Sequence, residues 1–264
     1  MERLLVLRLE SSGCSAEAVI NGVPLVRVGG SQSVATLPVH EYWLAGNNAL
    51  EMLVHPGAAG EAPAIEPKLS DGKAWASLRL LLPRVAGVAH PASARTVAQL
   101  DWAPPLDEVY MAPIAVRKSV DLPIAFPRWR WLDAPVITDV AALKQDAAAY
   151  LLEIALGLAR GNPEPLIGAA RLRLEELAAA YQRPLADDVA RLRQQVQRLH
   201  ALQPLKPALP SAAKLLLRPV ADGRLLECLG SDGQPLLQSP VAGGGVQYWP
   251  LRIAAVEGRF YVLR

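Results

Sequence analysis

The chain has little with which to perform covalent chemistry or cross a membrane. Its 264 residues include two cysteines, four histidines, three methionines and two phenylalanines. Cys14 and Cys228 lie in different halves and at no metal-ligand spacing, which excludes a disulfide framework and a cysteine metal site. They are expected to be reduced, half-buried thiols. No charge of either sign dominates. Lys+Arg 27 stand against Asp+Glu 25, so the chain lacks the dense cationic face that neutralises nucleic-acid phosphates. No apolar run approaches the ~20 residues that span a bilayer, and Met1 to Glu10 is broken by Glu2, Arg3 and Arg8, unlike a secretory leader. These absences predict a cytoplasmic protein with neither membrane nor nucleic acid as partner.

Catalytic signatures are missing as well. There is no Walker phosphate loop, no strand–GxGxxG–helix, no HExxH, no paired CxxC and no GxSxG elbow. Gly243-Gly244-Gly245 lacks the lysine and following helix of a phosphate site and reads as a loop. His40, His55, His90 and His200 are scattered and read as ordinary surface histidines. No catalytic residue, metal ligand or cofactor site is therefore assigned.

What is present is hydrophobic patterning, since 52% of the residues are hydrophobic, enough for packed cores. Over residues 1–125 short apolar runs recur at the spacing of strands. Candidates lie at Leu4–Leu9, Ala18–Ile20, Val23–Val28, Val34–Val39, Ala49–Val54, Ala74–Leu82, Thr96–Trp102 and Ile114–Leu122. Asn21-Gly22 between two of them is a strong hairpin signal, because the tight turn needs positive φ. About eight such strands predict an all-β sandwich or jelly roll.

A proline- and tryptophan-rich connector is expected over 126–137, and from Thr138 the period becomes helical. Thr138 or Asp139 can cap a first helix running to Arg160. A second carries Leu166, Ile167, Ala170, Leu174, Leu177 and Tyr181, and Pro184 opens a third with Val189, Leu192, Val196 and Leu199 on one face. After Pro204, Pro207 and Pro210 the pattern returns to strands, including a long one over Gln247–Val256 and a closing hairpin at Glu257-Gly258. The expectation for 138–264 is an α+β domain, three helices followed by a curled antiparallel sheet.

Two family resemblances attach to these halves. Ile20-Asn21-Gly22-Val23-Pro24-Leu25, Leu37-Pro38-Val39 and Trp43 to Leu50, with its G-x-N-x-L at Gly46, Asn48 and Leu50, resemble the core of galactose-binding-like jelly rolls. Sugar binding does not follow, since many such folds only support their neighbours. The element order of the second half is similar to the nuclear-transport-factor-like cone. That likeness implies a pocket inside the sheet, for which Tyr150, Tyr181, Glu227, Tyr248 and Tyr261 are candidates. The inward positions Leu225, Leu236, Leu251, Ile253 and Val262 point instead to a filled core.

The densest aromatic cluster, Arg128-Trp129-Arg130-Trp131, is the candidate partner-binding site, because Trp and Arg dominate protein-binding hot spots. Its alternative role is packing at the junction of the halves. The acidic pairs Glu175-Glu176 and Asp187-Asp188 point about 100° apart on a helix and do not converge. Asp187-Asp188 fits the start of the third helix, where the dipole favours negative charge. The expected function is a non-enzymatic, intracellular protein-binding protein, of the toxin-neutralising (immunity) or adaptor kind, with another protein as partner. A carbohydrate- or small-ligand-binding module and a small-molecule enzyme using the second half are the alternatives.

Overall fold

The structure is a computed structural model that describes residues 4–56, 68–70, 72–84, 89–123 and 126–264. The chain divides into two compact units, one ending at Pro127 and one running from Arg128 to Arg264. The first is built of antiparallel strands; the second combines helices with antiparallel sheet.

In the first unit, β1 (Val6–Ser12), β2 (Cys14–Ile20), β3 (Val23–Val28), β4 (Val34–Pro38), β5 (Gly46–Pro56), β6 (Lys68–Leu69), β7 (Trp75–Leu82), β8 (Arg95–Trp102), β9 (Val109–Tyr110) and β10 (Ile114–Leu122) follow one another. They form two four-stranded sheets, ordered β4-β1-β7-β8 and β10-β5-β2-β3, and a ribbon of β6 with β9. Strand alternation builds the core from both sheets. Leu7 pairs with Leu80 and Leu9 with Leu78 in one sheet, while Ile20 pairs with Leu50 and Ala18 with Met52 in the other. All eight are fully buried, and β2 lies against β7. Each large apolar side chain so buried stabilises the fold by roughly 1.5–3 kcal/mol.

The hairpin at Asn21-Gly22 forms as expected, with φ of 51° and 74° at its two central residues, the mirror-image geometry that matches strand twist. The G-x-N-x-L stretch locks this turn. Buried Asn48 accepts from Leu44 N at 2.7 Å and from Asn21 Nδ2 at 2.8 Å, and donates to Leu44 O at 3.0 Å and Gly46 O at 2.8 Å. Asn21 in turn donates to Tyr42 O and accepts from Ala49 N.

In the second unit, α1 (Val140–Ala159) begins at Asp139, whose carboxylate accepts from Ala142 N at 3.0 Å. It stops at Gly161, where φ is +68° and an added Cβ would lie 2.7 Å from the His200 ring; glycine meets both demands. The expected second helix is two, α2 (Glu164–Ala169) and α3 (Arg171–Ala180), broken at Ala170. The break follows Gly168, a poor helix former. The last helix, α4 (Leu185–Leu202), is opened by Pro184. There are thus four helices rather than three.

Strands β11 (Leu216–Val220), β12 (Leu225–Leu229), β15 (Arg252–Val256) and β16 (Arg259–Val262) form one sheet in that order. Between them β13 (Leu237–Val241) and β14 (Gly245–Trp249) make a separate hairpin, turned by Gly243 and Gly244. The expected long strand over 247–256 is therefore two strands in different sheets. Pro250 sits at the break, where its missing N–H cannot join a ladder. Leu151, Ile154, Leu158, Leu174, Val196, Leu226, Ile253 and Val262 form one core between helices and sheet.

The segment expected as a connector belongs, from Arg128 on, to this second unit. Ile137 N donates to Gly223 O at 2.8 Å, and Arg224 donates to Ala134 O at 2.5 Å.

Candidate binding cleft

The Arg128–Trp131 cluster does not present its aromatic faces to a partner. Trp129 and Trp131 are 1% and 3% exposed. Arg130 N donates to Glu176 Oε1 at 2.6 Å, and the Arg130 guanidinium reaches Glu175 at 2.7 Å and Leu172 O at 3.1 Å. Glu176 also holds Arg264 in a fully buried ion pair, and the Arg264 guanidinium lies 5.4 Å from the Trp129 ring centroid. Adjacent Glu175 and Glu176 thus share one arginine, one through its side chain and one through its backbone. Arg128 is exposed and paired with Asp133 at 2.6 Å. The alternation of Arg and Trp carries packing information: the tryptophans are buried, and the alternating arginines meet carboxylates.

The concavity of the second unit lies elsewhere. A cleft of about 380 Å³ opens between α2, α3, α4 and the end of β14, within the size range of ligand pockets. Leu166, Leu174, Leu177, Leu192, Trp249 and Leu251 supply apolar walls, and Arg173, Arg183, Arg191, Gln195, Gln247 and Tyr248 supply polar ones. Asp188 is the single acidic residue of the lining and is 7% exposed. Its Oδ1 takes Arg183 at 3.0 Å and Arg191 in a still shorter contact. Two arginines on one carboxylate leave a net positive group.

Three buried polar atoms of the lining have no hydrogen-bond partner among the described residues: Asp188 Oδ2, Arg183 Nε and Trp249 Nε1. An unpaired buried donor or acceptor costs about 1–3 kcal/mol. Native proteins pair the great majority of such atoms, so three beside one cleft need a reason. Arg191 and Gln195 also line a second, neighbouring depression with Gln194, Arg198, Leu199 and Leu202 along α4, so the concave surface continues along that helix.

Sequence reasoning placed Asp188 at the helix start, where it is, but gave it no cleft role. Its signal was the i, i+3 spacing to Arg191; the second arginine, Arg183, comes from before the helix. Of the five expected pocket residues, only Tyr248 lines this cleft. Glu227 is buried between Arg218 at 2.5 Å and Arg252 at 2.8 Å. Tyr150 packs near Phe260, and burial pushes its hydroxyl up to about 12. Tyr181 is buried under the Arg183 guanidinium. Leu225, Leu236, Leu251, Ile253 and Val262 are all buried.

The histidines depart from the expected surface placement at His55 and His200, which are half-buried, and most of all at His40. His40 is buried, and its Nε2 accepts from Leu5 N at 2.6 Å, so it holds the start of β1. Both cysteines are free and fully buried rather than half-buried. Burial pushes Cys14 up to about 11 and moves Cys228 further in the same direction, with Glu227 adding to the effect. Neither thiol is a nucleophile near neutral pH. Among the described residues no group of three His, Cys, Asp or Glu could hold a metal ion, and no helix is long and apolar enough to cross a membrane.

No family model, curated protein or solved structure significantly matches this chain. Its chemistry is read from its own residues.

Proposed function

We propose that this protein is a non-enzymatic, intracellular protein-binding protein and that a segment of its partner seats in the cleft of the second unit. The observation that carries the reading is the coincidence in one concavity of an apolar wall, an arginine-rich rim and buried polar atoms without partners. Such a combination marks sites where a ligand completes what the fold leaves open. An immunity or adaptor role is the form of the proposal that fits best: a stable platform with an adhesive cleft and cysteines held unreactive by burial.

The architecture supports a platform role. Numbered one to eight along the chain, the strands of the two large first-unit sheets run 4-1-6-7 and 8-5-2-3. A jelly roll runs 6-3-8-1 and 2-7-4-5, and shifting its numbering by two strands gives the order found here. This supports the jelly-roll reading and, with the Asn48 lock, the likeness to galactose-binding-like modules. In the second unit, helices precede a meandering antiparallel sheet, which supports the likeness to the cone fold.

The test is affinity capture from the source cell with the full chain and with a doubly substituted chain, Arg191→Glu and Tyr248→Ala, both exposed residues of the cleft. A stoichiometric protein recovered by the first and lost by the second is the expected result. Recovery of no such protein, or equal recovery by both chains, overturns the reading. A second reading, a small-ligand-binding module, is favoured by the cleft volume, which would admit a compact molecule; a ligand retained through native purification would support it.

A further inference from the structure

The chemistry of the cleft specifies what it holds, granted that a partner segment seats there. Its one aspartate is shared by two arginines, Arg183 and Arg191, so this part of the rim carries an excess of positive charge. A cationic segment would meet this rim with like charge and be repelled. The apolar wall, with buried Leu174 and Trp249, favours large hydrophobic side chains.

The unmet atoms narrow the choice further. Trp249 Nε1 and Arg183 Nε are donors and call for an acceptor oxygen. Asp188 Oδ2 is an acceptor and calls for a donor. A simple carboxylate supplies only acceptors, whereas a peptide supplies carbonyl and carboxylate oxygens together with backbone N–H groups. Trp249 and Asp188 are each more than nine-tenths buried.

We infer that the cleft binds an acidic, apolar peptide segment of the partner: one or two Asp or Glu side chains on the arginine rim, neighbouring large apolar side chains on the Leu174–Trp249 wall. Backbone amides of the segment meet Asp188. The exposed Leu202 and Arg198 along α4 continue the same alternation of apolar and cationic surface.

The experiment is selection of a displayed library of random peptides on the immobilised full-length protein, followed by titration of the enriched peptides. Enriched sequences should pair Asp or Glu with Leu, Phe or Trp. Their affinity should fall about tenfold or more in Arg191→Glu, where charge is reversed, and about fivefold in Trp249→Phe, where one donor is lost. It should also fall as salt rises, and melting temperatures measured alongside show that each variant is folded. Peptides that depend on the cleft residues but are neutral or basic would overturn the inference and leave the protein-binding reading standing. Binding indifferent to both substitutions would overturn the inference and the placement of the site together.

Discussion

The two units differ in how they bury polarity and in where they gather apolar surface. In the first, the main buried polar lock is uncharged: Asn48 and Asn21 satisfy each other and the backbone around a turn. In the second, Glu176–Arg264 and Glu227–Arg252 are ion pairs with both partners nearly inaccessible. The first unit shows apolar side chains on a two-stranded ribbon. Leu69 and Val109 stand opposite each other across β6 and β9, and with Leu106 and Met111 each is about 60% exposed. The second also exposes Leu202, Leu209 and Leu216, but it lines a cleft with apolar side chains beside three unmet polar atoms. An exposed apolar ribbon offers adhesion with no chemical instruction. A concavity with unmet donors and acceptors also states which groups would complete it, which is why the functional reading rests on the second unit.

The largest effect that would sharpen this contrast is at the charged lock. Arg264→Ala leaves Glu176 buried without its guanidinium, and Glu176→Ala strands both Arg264 and the Arg130 amide. Either should cost about 3–5 kcal/mol in denaturant unfolding. A loss below about 1 kcal/mol would mean that the pair is hydrated and that the units do not differ as described. In the first unit Asn48→Ala should cost about 1–3 kcal/mol. It exposes no stranded charge, so its loss should be the smaller and nearly independent of salt.

The two locks were unequally legible in the sequence. The Asn21-Gly22 turn could be read because the turn geometry demands those residues, and G-x-N-x-L because it is a short motif, but the Asn21–Asn48 bond that joins them spans 27 residues. Most strands of the first unit were legible because alternation and punctuation are short-range signals. Arg128-Trp129-Arg130-Trp131 stood out by composition, but Glu176 and Arg264, which fix its role, lie far away in the chain. A cluster of Trp and Arg reads as a hot spot until its carboxylate partners are placed. The cleft was illegible because Arg183, Asp188 and Trp249 converge only after α4 packs beside the β13–β14 hairpin. Likewise, strand propensity ran unbroken through Pro250, and only the pairing revealed two sheets.

Alkaline pH should act on both units through groups that burial keeps neutral. Cys14 in the first unit is raised to about 11 and Tyr150 in the second to about 12, in each case mainly by burial. Each is an acid whose folded pKa exceeds its unfolded one. The stability it confers is therefore complete below the unfolded pKa and is lost as pH rises through the folded value. Unfolding curves should hold steady to about pH 8 and weaken from there toward 12, and Tyr150→Phe should remove part of the upper portion of that decline. A thiol reagent at pH 8 should label neither cysteine in the native protein and both after denaturation. Rapid native labelling of either would contradict its burial.

The smallest stability effect, and the most discriminating, is expected at the cleft. Trp249→Phe deletes a buried N–H that has no acceptor, which recovers a desolvation cost of about 1–3 kcal/mol. It also removes part of a buried ring, which costs a comparable amount in lost contacts. The two terms oppose each other, so the net change should lie within about 1 kcal/mol of zero, measured by denaturant unfolding. A tryptophan that serves only as core should instead lose stability on the same change, as Trp129→Phe in the same unit should, at about 1–3 kcal/mol. Near-zero cost at Trp249 with loss of peptide binding would set it apart as a residue held for a partner. Substantial destabilisation without a binding change would return it to the core and leave the second unit as closed as the first.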